Sequence, residues 1–169
     1  MAYQLLLRGQ LIGETDLDYA GPGATQRLAF FHPTDRGRRE LPRITGLMRA
    51  AFALKVAMER QGLDPDDMPA DAVVDLLDRT MEGRRVVEVV KALDALELRD
   101  ERGARLTFTA IAVSDLDELR DLCRDLRTRS VVPDTADVPE SHRFLISATL
   151  TPDVAARLPA PRHVRLPEA

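Results

Sequence analysis

The apolar residues of this chain change their spacing along its length, and that change decides what it can fold into more than any single motif does. In Phe144, Ile146, Ala148 and Leu150 every second residue is apolar, the repeat of a strand with one face buried. In residues 44–60 the repeat lengthens. Ile44, Leu47, Met48, Ala51, Leu54 and Met58 fall three and four apart, with Phe52 and Val56 widening the stripe, as on one face of a helix. A chain carrying both periods belongs to a mixed class.

The remaining segments extend that reading. Tyr3, Leu5 and Leu7 alternate, Arg8-Gly9 follows, and Gln10-Leu11-Ile12 returns, which predicts a hairpin with Gly9 at positive φ and a bulge at Gly13. Residues 26–31 read as a further strand ended by His32-Pro33. A second hairpin is expected over 96–113, turning at 100–103, with Leu106, Phe108, Ala110 and Ala112 on one face. Helices are expected from near Pro69 to Gly83, over 84–95, and from a cap at Ser114 with Asp117 three residues on, Leu116, Leu119, Cys123 and Leu126 forming its stripe. The expected fold is therefore α+β: a mostly antiparallel sheet of two hairpins plus one or two further strands, covered by about four helices. One domain over residues 1–157 is expected, its last strand preceded by a linker at 130–140, with 158–169 a loose C-terminal tail carrying Pro159, Pro161 and Pro167.

Composition bounds the function. The chain has no Trp, two Tyr and five Phe, so the core must be aliphatic and the aromatic platforms used to stack bases or sugars are scarce. A net charge of -4 lacks the basic footprint of a nucleic-acid binder. Lys55 and Lys91 are the only lysines among 24 basic residues, a bias that fits a GC-rich bacterial genome. A lone Cys123, no leader pattern before the first strand and no run of about 18 apolar residues point to a cytoplasmic protein without a membrane span.

No phosphate-binding glycine loop, dinucleotide fingerprint, zinc-protease helix, paired cysteines or nucleophile elbow is present. The best candidate is the arginine group Arg36, Arg38, Arg39 and Arg43. It is read as a loop over 34–40 leading into a helix that Pro42 opens, where Arg forks and free backbone N–H groups could hold an anion, with His32 beside them. Solvated arginines balanced by Asp35 and Glu40 are the plainer account. Glu14, Asp16 and Asp18 would share one face of an extended strand and could offer oxygen ligands to a hard cation, although their spacing matches no calcium loop. The polar face of a half-buried strand explains them more simply. His142 and His163 have no ligand spacing, and Cys123 lies on an apolar stripe, where a core thiol is expected.

No metal or cofactor is expected, and no convergent set of catalytic residue types stands out. The leading expectation is a non-catalytic binding or interaction protein, an accessory or regulatory component of a larger bacterial system, engaging a protein partner or itself. The alternative is a small enzyme or ligand-binding domain for a phosphorylated or carboxylated molecule, using the arginines with His32 or Asp35 as acid or base.

Overall fold

The structure is a computed structural model that describes residues 2–64, 67–125 and 142–162, without the side chains of 122–125. Its frame is one sheet. The strands are β1 (Tyr3–Leu7), β2 (Gln10–Thr15), β3 (Tyr19–Ala20), β4 (Gln26–Pro33), β5 (Leu96–Arg99), β6 (Arg105–Leu106), β7 (Phe108–Asp115) and β8 (Phe144–Leu150). They lie in the order β6-β5-β1-β2-β4-β8-β7, with β3 paired to β4 off that path, and every strand pair is antiparallel. The helices are α1 (Asp35–Ile44), α2 (Leu47–Arg60), α3 (Ala70–Arg79), α4 (Met81–Asp94), α5 (Leu116–Asp125) and the single turn α6 (Pro152–Ala155). The expected α+β class with a mostly antiparallel sheet is the observed one.

Local chemistry explains most of these boundaries. Arg8 and Gly9 have φ of 52° and 74°, the two left-handed positions of the tight turn whose twist suits a two-residue hairpin. Leu5 faces Gly13 while Leu6 faces Leu11, so Ile12 is the extra residue of a bulge beside the glycine that signals it. In the second hairpin the return is shorter than its pattern suggests. Only β6 pairs with β5; β7 leaves to pair with β8, and a register irregularity between Phe108 and Ala110 moves the buried positions to Ile111 and Val113. The face expected from Leu106, Phe108, Ala110 and Ala112 therefore does not exist.

Two helix boundaries also differ from expectation. Thr80 divides α3 from α4, because its hydroxyl accepts from Gly83 N at 2.9 Å and donates to Leu76 O at 2.9 Å. Gly83 is thus a buried residue inside α4 rather than a stop signal. At α5 the capping group is Asp115, whose Oδ1 accepts from Asp117 N at 3.0 Å, while Ser114 is still in the strand, opposite Leu145. The Cys123 side chain, Leu126, the linker at 130–140 and residues 163–169, His163 among them, lie outside the described residues. Within them the chain from Leu158 is tied down at Arg162, whose N–H donates to Asp18 O at 2.6 Å and whose carbonyl accepts from Ala20 N at 2.9 Å.

The two faces of the sheet have different fates. Tyr3, Leu5, Ile12, Ala29, Phe31, Leu96, Leu98, Ile146 and Leu150 point into one aliphatic core, joined by Leu41 and Ile44 of α1 and Val89 and Leu93 of α4. Helices α1 and α4 lie on the strands, and α2 and α3 stack on α4. α3 buries no residue fully. The alternate side chains of β4 and β8, from Gln26, Leu28, Phe30, Leu145, Ser147 and Thr149, are half-buried and belong to no part of that core. Among the described residues no helix is long and apolar enough to cross a membrane.

Candidate functional site

The arginine group is part of a helix, not of a loop preceding one. Thr34 caps α1 by accepting from Gly37 N at 3.1 Å, and Asp35 occupies the first turn, where an acidic side chain favours the positive end of the helix dipole. Pro42 stands near the end of α1 rather than at the start of a helix. Cap chemistry at Thr34 outweighs the N-terminal preference of proline, and the carbonyl of Pro42 is taken by Arg85 Nη2 at 2.6 Å. At about 100° per residue, Arg36, Arg39 and Arg43 gather on the exposed side of α1, and Arg38, also exposed, stands on its flank. Arg43 pairs with Glu40 at 3.1 Å and sits in the last turn, where a cation is favourable. The arrangement suits a solvated helix face.

His32 is elsewhere. It alternates with the inward Phe31, is exposed, and lies opposite Glu14 across β2 and β4, on the side of the sheet away from α1. Glu14, Asp16 and Asp18 do not form one face either: β2 ends at Thr15, and Leu17 turns the chain with φ of 53° while burying its own side chain. Asp16 instead accepts from Asp18 N at 3.4 Å, and Asp18 pairs with Arg162 at 3.8 Å. No group of three or more metal-ligating side chains occurs among the described residues. The predicted site residues thus fall on three separate surfaces.

What the outer face gathers is a row of rings. Phe30 meets Tyr19 edge-on at 6.3 Å between centroids and His142 at 4.4 Å, and His142 meets His32 at 6.2 Å. Leu145 is the neighbour of Phe30 across β8, and Ser147 that of Leu28, while Gln26 Nε2 donates to Ser147 Oγ at 2.8 Å. Glu14 lies at the His32 end of the row. Sequence reasoning missed this row because His142 comes to Phe30 from a distant part of the chain, and Tyr19 from across the β3–β4 pairing. The alternation in β4 did carry a signal, since whatever opposes Ala29 and Phe31 must face the other way.

The helical side offers a cleft of about 420 Å³ between the end of α1, α2 and the start of α4, lined by Arg49, Glu82, Arg85 and Glu118 together with Ala50 and Met81. Its charges balance in sign. The uncapped start of α2 at Gly46 is faced by the Glu118 carboxylate, 3.6 Å from where a Cβ on that glycine would stand, and Arg49 Nε lies 3.6 Å from the same group. A carboxylate of the chain itself therefore stands beside that helix start. A second cleft, of about 390 Å³, opens where the β5–β6 turn approaches α6. Tyr3 is part of its wall, and burial, then the carboxylates of Asp18, Asp100 and Glu101, push the Tyr3 hydroxyl above its ordinary 10.0, against the opposing charge of Arg27.

No family model, curated protein or solved structure matches this chain.

Proposed function

We propose that this protein is a non-catalytic binding component that works by docking, and that it docks through the outer face of its sheet onto a second copy of itself. The observation that supports this is the contrast between the two faces. One is sealed by helices, while the other carries Leu28, Phe30 and Leu145 half-buried, with the rings of Tyr19 and His142 against Phe30. A two-fold contact sets a face against itself, so that face must carry both members of each interaction. This one does. It joins an apolar centre to the imidazoles of His32 and His142, the carboxylate of Glu14 and the neutral polar groups of Gln26, Ser147 and Thr149. The separation of the arginine helix from His32 favours docking over chemistry, since acid–base or nucleophilic work needs such groups within hydrogen-bond reach.

Sedimentation velocity from low micromolar to submillimolar protein tests the reading. The expected result is a reversible dimer, weakened roughly tenfold or more by Phe30→Glu or Leu145→Arg. A monomer throughout, or a dimer that both substitutions leave intact, removes it.

A further inference from the structure

The two ends of the sheet are built differently. At one end β6 is two residues long and carries the exposed Arg105, the short and charged kind of edge that turns other strands away. At the other end β7 runs for eight residues, and from Phe108 to Ser114 it has neither a charge nor a proline. Among the described residues no strand pairs with its outer edge.

The ladder shows which groups that edge presents. Leu116 N donates to Arg143 O at 3.0 Å, and bonded pairs alternate along an antiparallel ladder, so Ser114 and Ala112 are the residues that exchange hydrogen bonds with Leu145 and Ser147. The N–H and C=O groups of Ile111 and Val113 therefore point away from β8, and no described residue bonds to them. Beside this edge lies a cavity of about 120 Å³, where the starts of α2 and α5 come up to Ala112 and Val113. Leu47, Met48 and Leu119 give it an apolar lining, with Met48 58% exposed. The charges in its wall cancel in the Arg49–Glu118 pair, 3.6 Å apart.

We propose that β7 takes on an extended segment of a partner protein as a further antiparallel strand. The backbone of that segment bonds to Ile111 and Val113, which supplies the affinity, and its alternate side chains supply the selectivity. On the helical side one uncharged aliphatic residue enters the cavity beside Val113; on the other side the segment carries small or polar residues next to Ala110 and Ala112. A second copy of β7 fits the edge less well. Its inward Ile111 and Val113 are held in its own core, which leaves it no side chain for the cavity. The edge is a different surface from the outer face of β4 and β8, so loss of either reading leaves the other standing.

The probes are capped, lysine-flanked eight-residue peptides that alternate Val, Leu or Phe with Ser or Thr, followed by fluorescence anisotropy and by amide hydrogen exchange of the whole chain. At least one is expected to bind saturably and to slow exchange at the Ile111 and Val113 amides. Met48→Glu, at an exposed position, is expected to raise the Kd roughly tenfold or more. N-methylation of alternate peptide amides, which alters nothing in the protein, is expected to do the same. Phe30→Glu is expected to leave peptide binding unchanged. The proposal is overturned if no peptide binds at about 1 mM, if the bound peptide leaves those two amides exchanging as before, or if binding tolerates N-methylation. It is equally overturned if Phe30→Glu abolishes binding, which puts the peptide on the outer face, or if the Phe30→Glu protein is a dimer with both amides already protected, which makes the edge a contact between copies.

Discussion

Gly37 shows how one missing side chain sets the position of a helix. It is buried in α1, and a Cβ there would run into the carbonyl oxygen and carbon of Ile12 and approach the ring of Pro33. The same Ile12 carbonyl accepts from Thr34 N at 2.9 Å and from Thr34 Oγ1 at 3.2 Å. One backbone oxygen thus fixes the start of α1 on β2. Alanine would improve intrinsic helix propensity by about 1 kcal/mol, yet the obstacle is backbone that side-chain rotation cannot relieve. Gly37→Ala is therefore expected to destabilise the protein by about 1–3 kcal/mol, read as a lower urea midpoint at unchanged slope.

At the scale of elements, the joint at Thr80 carries two helices on one hydroxyl. It accepts from the first turn of α4 and donates to the last turn of α3, and α3 has no fully buried residue of its own to hold it. Thr80→Ala is expected to cost about 1–2 kcal/mol, with part of the loss appearing as reduced helical circular dichroism before the global transition. The hairpin at Gly9, the alternation in β8 and the stripe of α2 were legible in sequence because each is written in neighbouring residues. The start of α1 was legible in principle, since Thr34-Asp35 is a good cap, but Pro42 and the dense arginines point to a start at Pro42, seven residues after Asp35. What could not be read locally was partnership. That β7 abandons β5 for β8 depends on residues 29 to 42 positions further along the chain, and the ring row depends on Tyr19, Phe30 and His142 meeting in space. The arginines named from sequence do lie near one another, but on the convex side of a helix, which local charge density cannot distinguish from a pocket.

For the whole molecule the decisive element is β1. It hydrogen-bonds to β2 along one edge and to β5 along the other, and four of its five residues are buried. Removing residues 1–9 deletes an interior strand of the sheet rather than a frayed end. The truncated chain is expected to show no cooperative thermal transition by circular dichroism.

That interior strand also fixes an order of events in time. Leu7 is matched with Leu96, so β1 acquires its second neighbour only after 89 further residues. At a synthesis rate of about 5–20 residues per second, a nascent Leu5-Leu6-Leu7 edge waits on the order of 5–20 s, longer than the exit of the β1–β2 hairpin itself. During that interval its apolar edge is open to any other strand it meets.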